Sequence, residues 1–180
     1  MNDEHSDSGS KPLDGAHLFI NYGSEDRDQA LWIRDRLISA GAKIWLDRKN
    51  IDGGDEWKQE IDSSLRETQA MIAVLTRTSV DPSRRWIRYE HEEAIRLLRP
   101  VVPIICQPND QGEVVQLPDH LHKFHYLKCS QVQDLDLAAV YKLVAKHALR
   151  GGRRIFRETP PRETVSWVER RRSKRSPISC

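Results

Sequence analysis

Cysteine is scarce: Cys106, Cys129 and Cys180 are the only three in 180 residues. An odd, scattered set excludes a disulfide framework, and without a Cys-x-x-Cys pair it excludes a zinc site of that kind. Long apolar runs are missing as well. None approaches the roughly 20 residues of a membrane span, and the first residues lack the basic and apolar regions of a signal peptide. A reducing, cytoplasmic setting is therefore expected. No Gly-x-Gly-x-x-Gly and no Walker sequence is present, which argues against a resident dinucleotide or nucleotide cofactor. His91-Glu92 is followed by Ile95, where a zinc-protease helix needs a second histidine. His120, His122 and His125 have no Cys or carboxylate at a supporting spacing, so no metal site is expected.

Hydrophobic residues make up 38% of the chain, below the usual ~45–50%. The deficit lies at the two ends. Residues 1–16 hold Gly, Ser, Asp and Pro with almost no large apolar side chain, the composition of a disordered segment. Residues 150–180 carry ten Lys/Arg and three Glu, a net charge of +7, against −5 for the rest of the chain. This basic tail, expected to be flexible, is either a contact for an anionic surface or a solvated terminus. The chain stops directly after it, as a fragment of a longer protein would. Residues 17–149 are left as one domain with room for a sizeable core.

Within that span strand and helix patterns alternate. Residues 17–22 read as a strand closed by Gly23-Ser24, with Ser24 as N-cap of a helix over 26–40. Ala30, Ile33, Leu37 and Ile38 follow helical spacing, and Gly41 fits the position just past a helix end. Residues 43–47 form a second strand, 48–54 a loop, and Asp55 caps a helix to about Glu67 with Trp57, Ile61 and Leu65 on one face. Residues 71–76 are apolar without alternation, as in a central parallel strand. A third helix over 86–98 is expected to bury Ile87, Ala94, Ile95 and Leu98. A strand over 101–106, a weaker edge strand over 123–129 and a closing helix over 135–149 complete the pattern. Right-handed crossovers then give an α/β fold: a five-stranded parallel sheet with helices on both faces.

The chemistry concentrates in Trp86-x-x-x-Glu90. Positions i and i+4 stack on one helix face, so ring and carboxylate are expected to open onto the same space. The preceding strand puts them at the carboxyl edge of the sheet, where open α/β folds bind ligands. A carboxylate beside a flat ring suits cleavage of a bond between a ribose and a positively charged base. Glu90, in the first turn of its helix by this reading, could equally be an ordinary surface carboxylate favoured by the dipole. Trp86 and Tyr22 could be boundary packing residues, and Asp47 a loop cap.

Four blocks in order make residues 17–149 resemble a Toll/interleukin-1 receptor (TIR) domain of the bacterial kind. They are Phe19-Ile20-Asn21-Tyr22-Gly23-Ser24-Glu25-Asp26, Ile44-Trp45-Leu46-Asp47 with Gly53-Gly54-Asp55 and Trp57, Trp86-x-x-x-Glu90, and Arg99-Pro100-Val101-Val102-Pro103-Ile104-Ile105. Asn21 stands where the family more often has Ser. The resemblance implies a flavodoxin-like sheet, NAD+ as substrate with no resident cofactor, and Glu90 as the catalytic carboxylate. It implies nicotinamide and ADP-ribose or a cyclic ADP-ribose as products, with signalling in bacterial defence. Tyr22 and Trp86 would then receive the nicotinamide, while Gly23, Ser24, Asp47 and Asp52 lie where ribose and phosphate pass. The resemblance also implies homotypic assembly through the loop 48–54, and it leaves a non-catalytic TIR–TIR adaptor as the alternative. A phospho-receiver, which shares the sheet layout, is set aside because Thr76-Arg77-Thr78 stands where its acceptor Asp belongs.

Overall fold

Ala70–Leu75 and Val101–Cys106 are buried at every position in the computed structural model, which describes residues 11–46, 55–107 and 114–149. Strands covered on both faces must be central, and they are. β1 (His17–Asn21), β2 (Lys43–Leu46), β3 (Ala70–Leu75), β4 (Val101–Cys106) and β5 (Leu127–Cys129) form a parallel sheet in the order β2-β1-β3-β4-β5. The order reverses direction between β1 and β3, and such a switch point opens a crevice at the carboxyl ends of the strands.

Side-chain alternation sends each strand's residues to two separate cores. Leu18, Ile20, Tyr22, Ile72, Val74 and Val102 pack with α1 (Arg27–Ser39) and α4 (Leu137–Val144). Phe19, Met71, Ala73, Leu75 and Ile105 pack with α2 (Asp55–Glu67) and α3 (Arg85–Arg96). By the same alternation Asn21, two residues after Phe19, faces α2 and α3. It is fully buried at the end of β1, beside Ala73 of β3.

α1 ends as its sequence demands. The N–H of Ala42 donates to the carbonyl of Leu37 and that of Gly41 to Ile38, while Gly41 adopts φ +100°. This is the two-bond helix stop that needs a left-handed residue. A Cβ at Gly41 would also come within 3.0 Å of the Asp14 backbone.

Several expectations are corrected. Ser24 is not the N-cap of α1. It lies in a 3₁₀ turn, Ser24–Asp26, and its hydroxyl donates to Glu25 instead. β5 starts at Leu127 rather than 123, and the closing helix starts at Leu137, where the Asp136 carboxylate accepts from the Ala139 N–H. Leu98 is 89% exposed, not core, because α3 ends before it. Leu98 takes φ 56° in the same helix stop that Gly41 makes, with Arg99 N–H donating to the Ala94 carbonyl and Leu98 N–H to Ile95. A side chain in that conformation costs about 1–2 kcal/mol, and this one gains almost nothing by burial. Leu98→Gly is therefore expected to stabilise the domain by up to about 1 kcal/mol, part of the relief being offset by glycine's greater unfolded-chain entropy. A urea midpoint that falls in this variant would contradict the assignment.

Candidate active site

Glu90 is the sixth residue of α3, in its second turn rather than its first, and has no exposed surface. The helix dipole fades beyond the first turn, so its position is set by a tertiary partner. One such partner is Asn21. Its side-chain amide Nδ2 donates to Glu90 Oε2 at 2.5 Å, joining the carboxyl end of β1 to α3. On its other side Asn21 Oδ1 lies 2.8 Å from His91 Nε2, and His91 Nδ1 lies 3.2 Å from His120 Nε2. A carboxylate, an amide and two imidazoles are thus linked in series, from a fully buried end to a half-buried one.

Neighbouring contacts hold α3 against this strand end. Arg84, just before α3, forms an ion pair with Glu25 in the turn that follows β1. Hydrogen bonds from its own backbone, then from Ser24 and Arg84, hold the Glu25 carboxyl below its usual range. On the α2 side, Tyr89 donates its hydroxyl to Asp62 at 2.7 Å; burial first, then that carboxylate, push the phenol up.

The other sequence-derived candidates fall in different places. Trp86 is 45% exposed, with its ring edge-on to Tyr89 at 5.7 Å. Ring and carboxylate do share a helix side, yet one lies at the surface and the other in the interior, so they do not open onto one space in this structure. Tyr22 is 3% exposed and packs in the core with α1. Its ring faces that core rather than an open crevice. Gly23 sits at the strand end with ordinary φ −71°, and its need is steric: a Cβ there would lie 2.6 Å from the Asp26 carboxylate, which in turn accepts from Thr76 Oγ1 at 2.7 Å. Ser24 is exposed. Asp47, Asp52 and the loop 48–54 lie outside the described residues, as does the side chain of Trp57.

Asn21, His91 and His120 were not singled out from sequence for this site. Alternation along β1 was the available signal for Asn21, since a polar residue on the inward face at a strand's carboxyl end asks for a buried partner. His122 bonds the Leu117 carbonyl at 2.8 Å, so it and His120 turn to different partners. Among the described residues no group of three or more His, Cys, Asp or Glu could hold a metal ion. A separate cavity of about 580 Å³ opens at the carboxyl ends of β3 and β4, lined by Asp26, Trp32, Thr76, Cys106, Gln107 and Ser130.

The TIR domain profile matches residues 18–144, nearly the whole span described above. This chain belongs to the TIR domain family. Among curated relatives, this TIR domain is 28% identical over 96 residues to the NAD(+) hydrolase TcpC of Escherichia coli O6:H1, covering 53% of this chain and 30% of TcpC. It is 31% identical over 74 residues to the 2' cyclic ADP-D-ribose synthase AbTIR of Acinetobacter baumannii, covering 41% of this chain and 27% of AbTIR. The chain thus spans less than a third of either relative's length. The TIR domain of the Toll-related receptor TRR-2 from Hydra magnipapillata superposes with a TM-score of 0.52 at 18% identity, over 74% of this chain and 97% of that one. That likeness establishes the α/β TIR fold. Among the described residues no helix is long and apolar enough to cross a membrane.

Proposed function

We propose that this TIR domain cleaves NAD+ between nicotinamide and ribose, releasing nicotinamide and ADP-ribose or a cyclic form of it. The observation that carries the reading is Glu90: a buried carboxylate held at the carboxyl end of β1, beside the switch point of the sheet. The relatives TcpC, an NAD(+) hydrolase, and AbTIR, a 2' cyclic ADP-D-ribose synthase, support it.

The chemistry needs little more than that carboxylate. Nicotinamide leaves NAD+ as a neutral base, so the general acid of most glycosidases has no task. What builds up is positive charge on the ribose. A fixed carboxylate in a water-poor site stabilises that charge without having to reorganise. In this reading Glu90 steadies the ribose cation and holds a ribose hydroxyl. Trp86 at the rim offers a face to nicotinamide, with the Gly23 backbone and Ser24 alongside ribose and phosphate. Asp47 and Asp52 join the substrate contacts, and NAD+ is a substrate rather than a resident cofactor. Tyr22, buried in the α1 core, supports the strand end from behind.

A carboxylate without exposed surface cannot meet a sugar until the groups over it move. Self-assembly through residues 48–54 is the proposed trigger, in keeping with a role in bacterial defence signalling. A head-to-tail contact of that kind propagates into open filaments. Specific activity is therefore expected to climb as the protein is concentrated. Nicotinamide release measured across a wide dilution series, with chromatographic identification of the second product, checks both claims. Flat specific activity would remove assembly from the mechanism. Intact NAD+ at every concentration would leave a non-catalytic TIR–TIR module.

A further inference from the structure

We infer that Asn21, oriented by His91 and His120, is the positioning residue that aims the Glu90 carboxylate. The inference rests on Glu90 being the working group of the site.

In the ionised form that its proposed role requires, the Glu90 carboxylate only accepts hydrogen bonds. The Asn21 atom on Glu90 Oε2 must then be the amide nitrogen, which turns the amide oxygen toward His91 Nε2, 2.8 Å away. That nitrogen must carry the imidazole proton. If His91 holds its one proton there, Nδ1 is an acceptor, and the group opposite it, His120 Nε2 at 3.2 Å, must donate. Every proton in the series then points toward the carboxylate: His120 to His91, His91 to Asn21, Asn21 to Glu90. Reversing any single member places two acceptors or two donors face to face.

The surroundings favour the neutral form at the outer end. Burial, then the nearby Arg88, lower the His120 pKa; Glu92 and Asp119 oppose them, and Lys123 adds to the lowering. A neutral His120 can carry its proton on Nε2 and donate. Asn21 and His91 are both buried, at 0% and 2% exposure, so water does not compete for these bonds. Hydrogen bonds linked in this way polarise one another and fix a single geometry. A scaffold asks only that Asn21 fill its space. A positioning role asks that the amide point one way.

Two measurements on the full chain decide this. In the first, ¹⁵N NMR of the histidine rings at neutral pH is expected to show His91 as the Nε2–H tautomer, and Glu90→Gln is expected to shift the Asn21 side-chain amide resonances. In the second, Asn21→Asp sets a second carboxylate against Glu90 with little change in size, and like charges that close cannot both stay ionised. Its kcat for NAD+ cleavage is expected to fall at least about tenfold with KM within about twofold, the mark of a lost transition-state interaction. His91→Phe should show the same split. An Nδ1–H tautomer at His91, Asn21 resonances indifferent to Glu90→Gln, or full kcat in Asn21→Asp would each overturn the inference. Should a variant fail to fold, the NMR arm on the wild-type chain still decides. A chain showing both NMR signatures yet releasing no nicotinamide would remove the activity and keep the positioning.

Discussion

Replacing Glu90 with alanine is expected to lower NAD+ cleavage by at least ~100-fold, about 2.7 kcal/mol, the scale of losing one preorganised charge-stabilising group. Most of the loss should fall on kcat, because the charge that the carboxylate answers builds up only as the bond breaks, with a smaller rise in KM from the lost contact to the ribose hydroxyl. Truncation has a second effect that must be kept apart from the first. Glu90 is fully buried on Asn21, so Glu90→Ala strands the amide, at about 1–3 kcal/mol of stability. Glu90→Gln separates the two. It preserves volume and an acceptor for Asn21 but removes the charge. Steady-state kinetics and urea unfolding on both variants are expected to show equal losses of kcat but an unfolding midpoint lowered mainly in the alanine. Turnover near the wild-type rate in the glutamine variant would place the chemistry on another group.

Phe19→Ala is expected to destabilise the domain by about 3–5 kcal/mol, the range for emptying a buried aromatic site. Phe19 has no exposed surface, packs with Ile61 and Leu65 of α2, and stacks on Trp45 of the neighbouring strand with ring centroids 4.5 Å apart. Little can collapse into the hole, because β1 is bonded on both sides by β2 and β3. Against a typical total stability of ~5–15 kcal/mol the variant would be near unfolding. Because Asn21 follows two residues later on the same face, nicotinamide release should fail in Phe19→Ala at temperatures where the wild type is active. Urea unfolding followed by tryptophan fluorescence measures the first effect. A change below about 1 kcal/mol would mean that the β1 face is not packed as described.

Most of the sheet was legible because burial on both faces writes itself into β3 and β4 as unbroken apolar runs. Gly41 was legible for a different reason: few residues other than glycine tolerate its backbone angle. Leu98 shows the limit of reading by periodicity. It continues the apolar spacing of α3, yet the helix has already stopped and the chain turns it outward. Trp86 and Glu90 show another limit. Helical spacing fixes the side on which two residues lie but not the depth of each along the axis, and four residues advance it by about 6 Å. That advance carries the helix from a half-exposed ring to a sealed carboxylate.

The candidate site was legible only in part. Glu90 stood out through its spacing from Trp86, but Asn21 lies 69 residues away in the chain, and His91 is 29 residues from His120. Nothing local in the sequence reports such contacts. They appear once β1 and α3 are packed face to face, which is a property of the assembled core.

One comparison tests the role of Glu90 most directly: real-time ¹H NMR of the nicotinamide ring protons in NAD+ mixed with concentrated wild-type protein or with Glu90→Gln. Ring signals of the bound cation are expected to give way to those of free neutral nicotinamide in the wild-type sample and to persist in the variant. Equal conversion in the two samples, or NAD+ unchanged in both, would contradict that role.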